Sequence, residues 1–585
     1  MSDKCVLGIN SAYHEPAVAV VRDGQIISAV EEERFNRKKH GKSALVSNTD
    51  ELPFQALDYS LQGLQGEIMA VGNSFDPIQR YVRNVGLEDA VTEGDWGSRT
   101  GERTFYEGLL KTPFILEARY SLPRDRFHWI PHQMSHAASA FYPSPFEEAA
   151  ILTTDGIGEF GSVALAHGRG NQIALIKEEG EYPNSIGFLW TKASGFLNFL
   201  LSGMPEYGAG TVMALASYGN PERFYSKFRE FVHYDDEGRL TVDGKVLQFR
   251  NGAHDRYGGI FGIKSRKEGE AITQDHMDFA AGLQKITNEV LLGLSKRLYR
   301  ITGSKNLCRA GGVALNCTSN SYLLKNGPFE NIFVFPGAND MGTAVGAALY
   351  AHFNFCDGKD RVPLNTPYLG PEFSGKDIKS SLKERTREID YVHVPDIEKT
   401  TAYLLSQGSV VAWFQGRMEF GPRALGNRSI FADPRRSEML SRVSQQIKGR
   451  EWFRPLAPVV LEDKVDEWFV RPRGGSVSDQ WMLFAYDVQP SKIGQIPAVT
   501  HYDNTGRVQV VNQQSNERLH TLLRHFNDYT GVPVLVNTSF NIKEPIVCTP
   551  EQAIDTYLKS WQEGNGIDFL AIGDYLVIRK GDRVW

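Results

Sequence analysis

Three short apolar stretches open the chain: VLGIN (6–10), AVAVVRDG (17–24) and QIISAVEEER (25–34). Each is short, rich in Val and Ile and bounded by turn residues, a pattern that predicts strands, the last two joined by a tight Asp-Gly turn. The same pattern returns roughly 145 residues later, as AAILTTDGIG, GSVALAHGRG and NQIALIKEEG (149–180). Asn10 and Asp155 then occupy equivalent places, just past the first strand of each set. The repetition predicts an internal duplication, two lobes each opening with a β-meander. Two unrelated hairpins would give the same local pattern.

Further on, the period changes. NLCRAGGVALNCTSNSYLL (306–324) and NIFVFPGANDMGTAVGAALYAHF (331–353) each read as an apolar strand, a glycine turn and a helix. Backbone N–H groups at such helix starts bind anions, and small residues there let a nucleotide approach closely. That assigns Gly311, Gly312 and Asn316 as candidate ATP or adenylate contacts. A meander start, a duplicated lobe and two late glycine junctions together suggest an actin-like ATPase architecture, which none of them would suggest alone. Residues 353–395 are rich in Pro, Gly and Asp and read as a connector. A second α/β region begins at SVVAWFQG (409–416) and runs through GVPVLVNTSFN (531–541) to DYLVIRKGDRVW (574–585). The expected class is α/β, with domains at 1–370 and 371–585.

Composition narrows this picture by exclusion. A net charge of -6 over 585 residues offers no global polycation for nucleic acid. The five cysteines, Cys5, Cys308, Cys317, Cys356 and Cys548, form no CxxC pair, so neither a disulfide framework nor a zinc knuckle is indicated. No basic n-region precedes an apolar core at the N-terminus and no apolar run is long enough to span a bilayer, so a cytoplasmic protein with no membrane partner is expected.

Candidate chemistry gathers at a few places. PHQMSHAASAFYP (131–143) puts His132 and His136 four apart, on one face if the stretch is helical. Asp155 ends a strand in TTDGIGE and Asp340 lies at a strand-to-helix turn in GANDMGTA, both places where α/β proteins put ligand-binding groups. Two His and two Asp form a mixed N/O set suited to Fe, Mn or Zn, although each Asp taken singly is as readily a cap or turn residue. His14, in the loop after the first strand, is a candidate general base or an ordinary loop histidine. EEERFNRKKHGK (31–42) reads as a solvated charged face, or as a place where Lys39 and His40 meet phosphate. The window 417–454 holds nine Arg/Lys against four Asp/Glu in an acidic chain, the signature of an anion site. Arg435 and Arg436 within it read as plain surface groups, and aromatic interleaving is too thin for nucleic acid.

HEPAVAVVRDG, EEERFNRKKHG, HQMSHAASAFY, DGIGE, GGVALNC, GANDMGTAVGAAL, GRMEFGPRALGNRSI, KGREWFRPLAP and VNTSFN occur in this order along nearly the whole chain. The set resembles the O-carbamoyltransferases of nodulation-factor and antibiotic biosynthesis, the tobramycin carbamoyltransferase type in particular. The resemblance implies an actin-like N-terminal domain similar to the tRNA threonylcarbamoyl transferase and a C-terminal domain similar to the YrdC carbamoylating enzymes. It implies that carbamoyl phosphate and ATP, as its magnesium complex, give carbamoyl-adenylate in the second domain. The carbamoyl group then passes to a hydroxyl of a small-molecule, natural-product acceptor in the first domain, beside an iron. Carried onto this chain, the resemblance makes His132, His136, Asp155 and Asp340 ligands of Fe(2+), with Mn or Zn as substitutes, His14 the base and Lys39 an ATP contact. Arg423, Lys448, Arg454, Arg507 and Asn537 match positions for phosphate and carbamoyl phosphate. Two departures stand out. Thr211 in GAGTVMALASYG stands where the family often has a lysine, at the place of an expected phosphate contact, and HEPA, with Glu15 and Pro16, stands where HDAS is common.

Two other function classes compete. A tRNA-modifying carbamoyl transferase would favour a basic surface and separate chains for the two domains. A nonenzymatic actin-like ATPase would have no use for EFGPRALGNR followed by REWFRPLAP. A homodimer is compatible with the sequence, which names no specific acceptor.

Overall fold

The opening stretches form the expected meander: β1 (Lys4–Asn10), β2 (Ala17–Arg22) and β3 (Gln25–Glu31) pair antiparallel in turn. β4 (Glu67–Asn73) and β5 (Phe127–Trp129) extend the sheet in parallel from the other side of β1, giving the order β3-β2-β1-β4-β5. This computed structural model describes residues 4–43, 45–84, 98–200, 208–246, 255–562 and 564–582. The second set repeats the plan. β6 (Glu148–Thr154), β7 (Gly161–Arg169) and β8 (Gln172–Glu181) form the meander; β9 (Val232–Tyr234) and β10 (Leu240–Val242) make a small separate hairpin; β11 (Asn306–Ala310) and β12 (Asn331–Val334) add in parallel to β6. The order β12-β11-β6-β7-β8 is the first sheet's order read from the opposite edge. The duplication is therefore topological, and the first unit has the two-lobed actin-like plan.

Two compact units divide the chain, Met1–Leu364 and Asn365–Trp585. In the first, β1 is buried from Cys5 onward and β6 from Ala149 onward, as central strands covered on both faces must be. The helix Asp340–Phe355 is apolar nearly all round and almost wholly buried. Its small residues allow unusually close packing. A Cβ on Gly8 of β1 would lie 1.9 Å from the Ala344 carbonyl oxygen, and one on Gly346 would lie 1.7 Å from that of Ser135. The helix thus lies directly on β1 on one side and on the helix His132–Phe141 on the other. Two segments some 200 residues apart in sequence meet because these two positions carry no side chain.

The second unit is built on a mixed sheet of order β13-β23-β22-β14-β15-β21-β16-β20. Its strands are β13 (Ile389–His393), β14 (Val411–Phe414), β15 (Arg428–Ala432), β16 (Ala457–Leu461), β20 (Gln509–Val511), β21 (Val534–Ser539), β22 (Phe569–Ile572) and β23 (Tyr575–Arg579). β17 (Phe469–Val470), β18 (Ala485–Val488) and β19 (Thr505–Arg507) form a short antiparallel sheet. The unit is α/β, as the class expected for it requires. The expectation of a connector over 353–395 is corrected at its C-terminal half. Residues Gly375–Glu384 are helical, started by a capping box of Ser374 and Asp377, and β13 is the edge strand of the main sheet. The S-x-x-D signal was present in a stretch whose Pro and Gly content outweighed it. Among the described residues no helix is long and apolar enough to cross a membrane.

Candidate metal centre and anion site

His132 opens a helix and His136 follows one turn later, so both imidazoles leave the same face. Asp155 directly follows β6, and Asp340 is the first residue of the helix packed against the histidine helix. Strand end, helix start and histidine pair thereby converge. One ligand atom from each residue lies within 4.8 Å of all the others, and all four residues are buried. His132 Nε2 is 3.2 Å from Asp155 Oδ2 and 3.7 Å from Asp340 Oδ1. His136 Nε2 is 3.6 Å from the same two oxygens. Ligand atoms about 2.1 Å from a shared ion sit about 3.0–3.4 Å apart, so the cluster needs only a slight contraction to hold one. His136 Nε2 is a buried nitrogen with no hydrogen-bond partner among the described residues, and a metal bond would satisfy its lone pair. These residues fit a first-row divalent cation.

The surroundings fix the donors. The Ser74 carbonyl accepts from His132 Nδ1 at 3.3 Å, which turns the Nε2 lone pair toward the cluster. The Gly312 N–H donates to Asp155 Oδ1 at 2.9 Å and leaves Oδ2 facing the histidines. Glu159 accepts the His132 backbone N–H at 2.8 Å and that of Asp76 at 2.7 Å. Burial pushes the Glu159 carboxyl up to about 7. Burial also disfavours a charged His132, yet the hydrogen bond to Asp155 and the charges of Asp340 and Asp155 outweigh it and raise the imidazole to about 10. Asp155 moves the other way: burial opposes its charge, but both histidines hold its carboxyl well below the usual range. Two carboxylates in a sealed site demand positive charge, which protons on the imidazoles or one divalent cation would supply.

His14 stands at the rim of this cluster, 26% exposed, with Nε2 3.7 Å from Asp340 Oδ2. Lys39 is 29% exposed and its ammonium lies 3.7 Å from Glu33 Oε1. The charged run around it is no solvated face. Glu31, Glu32, Glu33 and Arg34 are buried, and Arg34 bonds Glu31 at 2.9 Å and Glu33 at 2.8 Å. Burial raises the Glu33 carboxyl, but Lys39, Arg34 and His40 together bring it to about 2. Gly311, with φ 91°, and Gly312 form the turn after β11, and Asn316 caps the helix Cys317–Asn326 through the Ser319 N–H at 2.9 Å. Thr211 is buried within the helix Ala209–Ala216.

In the second unit, EFGPRALGNR is a loop tied from within. Glu419 Oε1 accepts the N–H groups of Leu425, Asn427 and Arg428 at 2.8, 2.7 and 3.1 Å. The buried Arg428 guanidinium donates to the carbonyls of Gln415, Asn427, Pro371 and Gly416. The loop so fixed presents Arg423. Burial disfavours the charge of Arg450, and the neighbouring Arg454, Arg507 and Arg423 lower it further. Arg454 is likewise lowered by burial and by Arg507. Four guanidiniums from three segments are thus held near one another, an arrangement that an oxyanion would stabilise. Arg450 also donates to Thr538 Oγ1 at 3.3 Å. It was overlooked in the sequence, although it stands four residues before Arg454 in the basic window. Asn537, beside Thr538, is buried; its Nδ2 donates to Gln509 Oε1 at 2.7 Å and to the Ala424 carbonyl at 3.3 Å, while its Oδ1 has no hydrogen-bond partner among the described residues. Lys448 is placed differently: its buried ammonium is held by the Ser539 carbonyl and by both Asn541 oxygens, the latter at 2.9 and 2.7 Å. Arg435 is bound to Asp433 at 2.7 Å, and Arg436, 43% exposed, lies 3.6 Å from the same carboxylate.

The first α/β unit thus holds a buried cluster of two histidines and two aspartates, and the second gathers four arginines. The carbamoyltransferase N-terminus model matches residues 5–349 and the carbamoyltransferase C-terminus model matches 402–579. An uncharacterized protein of Synechocystis sp. is 35% identical over 628 aligned positions, covering 99% of this chain and 98% of its own. The nodulation proteins NolNO of Sinorhizobium fredii, at 36% identity over 98% of this chain and 80% of its own, and NolO of Bradyrhizobium diazoefficiens, at 37% over 77% and 79%, are also similar. The chain belongs to the carbamoyltransferase family and transfers a carbamoyl group.

Proposed function

We propose that the second unit makes carbamoyl-adenylate from carbamoyl phosphate and ATP, and that the first passes its carbamoyl group to a hydroxyl of a small-molecule natural product. The observation that carries this reading is the cluster of Arg423, Arg450, Arg454 and Arg507. Carbamoyl phosphate and the Mg(2+) complex of ATP are both polyanions, and guanidiniums that repel one another in the free protein gain most when both arrive. Asn537 Oδ1, a buried acceptor, supports recognition of the carbamoyl –NH2. Hydrolysis of carbamoyl phosphate gives carbamate and phosphate. A carbamate oxygen then attacks the α-phosphorus of ATP and pyrophosphate leaves. Lys448 would act on this site indirectly, by holding the turn after β21.

In the first unit, Lys39, the Gly311-Gly312 turn and Asn316 would bind the adenylate. His14 would take the proton of the acceptor hydroxyl as its oxygen attacks the carbamoyl carbon, and AMP leaves. His132, His136, Asp155 and Asp340 would hold Fe(2+), or Mn or Zn, which supplies Lewis acidity toward an oxyanion. No nucleic acid is required, in keeping with the net charge of -6. Mass spectrometry of candidate hydroxyl compounds, incubated with enzyme, carbamoyl phosphate and ATP, tests the proposal. A product heavier by one carbamoyl group, formed only with both co-substrates, is expected. A carbamoylated product formed equally without ATP would overturn the adenylate route.

A further inference from the structure

Glu15 stands next to His14 and is the first of the positions at which HEPA departs from the common HDAS pattern. Its backbone is left-handed, with φ 54°, although it is not glycine. Such a conformation in a non-glycine residue is kept only where surrounding contacts over-determine it, and here they do. Its N–H donates to the His40 carbonyl at 3.0 Å, and its carbonyl accepts from Asn10 Nδ2 at 2.9 Å. Its buried carboxylate has two partners from distant segments: Oε1 lies 3.2 Å from His40 Nδ1, and Oε2 accepts from Asn339 Nδ2. His40 follows Lys39, and its backbone N–H is held by Glu33 at 2.6 Å. Asn339 precedes Asp340. It stands at the N-cap position of its helix without capping it, because its amide is turned to Glu15. The Asn10 amide that holds the Glu15 carbonyl also holds that of His14 at 3.0 Å, and its oxygen accepts from Ser74, whose carbonyl orients His132.

We propose that Glu15 is a positioning residue for the transfer step: one carboxylate spans the loop of Lys39 and the helix start of Asp340, and so sets both against His14. An aspartate there, one methylene shorter, has less reach to bridge the two partners. This inference rests on the function proposed above for its kinetic part and on the geometry alone for its structural part. In Glu15→Ala, displacement of reacting groups by about 1 Å should lower transfer about 10²-fold, while adenylate formation in the second unit stays at the wild-type rate. Asn339→Ala should lose a similar factor. The double variant should be no more than about threefold worse than either single one, because both changes break the same bridge. Glu15→Gln, which keeps the shape, should fall between wild type and Glu15→Ala.

Hydrogen exchange on the full-length protein gives a readout independent of activity. Glu15→Ala should speed exchange in both 37–42 and 337–342. Exchange faster only around 12–16, transfer within threefold of wild type, or multiplicative losses in the double variant would each overturn the proposal. If wild type formed no carbamoylated product at all, the proposed function would fall, and the exchange pattern would still decide the role of Glu15.

Discussion

Gly311 and Gly312 sit side by side, yet alanine at each should fail in a different way. At Gly312 a Cβ would lie 3.1 Å from Asp155 Oδ1, the oxygen that the Gly312 N–H holds at 2.9 Å. The carboxylate must give by a few tenths of an ångström, enough to misdirect its other oxygen without disturbing the fold. Changes to groups that orient metal ligands cost about 10–100-fold in affinity; the small displacement here points to the lower end, about tenfold, or about 1.4 kcal/mol. At Gly311 the backbone is left-handed, φ 91°, and a Cβ would lie 2.2 Å from the Thr154 carbonyl oxygen, a main-chain atom that cannot swing away. Strain and overlap together should cost about 3 kcal/mol or more of folding stability. Chelator competition for Fe(2+) and urea denaturation of the metal-free protein separate the two effects. Gly312→Ala should lose metal affinity with its denaturation midpoint nearly unchanged, and Gly311→Ala should lose stability outright. Wild-type metal affinity in Gly312→Ala would refute Asp155 as a ligand oriented by that N–H.

Three further outcomes follow from the second unit. Glu419→Ala leaves three backbone donors without their shared acceptor and should destabilise that unit by about 3 kcal/mol or more in urea; a loss under 1 kcal/mol would mean the loop is held otherwise. Arg450→Met removes a charge disfavoured by burial and by three neighbouring arginines, so the free protein should be as stable or more stable, while stabilisation by inorganic phosphate is lost; thermal shift with and without phosphate reads both, and an unchanged phosphate shift would contradict the site. Burial pushes the His501 imidazole down to about 4 and Arg507 adds to this, against Asp503; the unfolded chain then binds more protons than the folded one between about pH 6.5 and pH 4, so stability is full above pH 6.5 and falls by about 2 kcal/mol on going to pH 5. His501→Gln should flatten that slope in denaturation at the two pH values, and an unaltered slope would place its origin elsewhere.

How far the sequence leads depends on how local each feature is. The two meanders were legible because strand periodicity and Asp-Gly turns are written within a few residues, and their repetition implied the shared topology of the two sheets. His132 and His136 on one helix face were legible for the same reason. Their meeting with Asp340 was not, since it depends on Gly8 and Gly346 letting one helix lie against β1 and the histidine helix, and nothing local distinguishes those glycines from others. The run 31–42 misleads for a related reason: charge density reads as exposure, whereas Arg34 is buried between Glu31 and Glu33. Arg450 was in view but looked like any base in a basic window. Only its placement against Arg423, Arg454 and Arg507 sets it apart.

ATP–pyrophosphate exchange dependent on carbamoyl phosphate tests the proposed division of labour between the two units most directly. Wild type should exchange. His136→Ala should exchange at a rate close to wild type while losing transfer to acceptor and bound metal. Arg454→Ala should lose exchange, since removing a charge-assisted contact costs about 1.5–3 kcal/mol or more, yet should transfer from supplied carbamoyl-adenylate. Exchange lost in His136→Ala, or exchange at the wild-type rate in Arg454→Ala, would contradict the account.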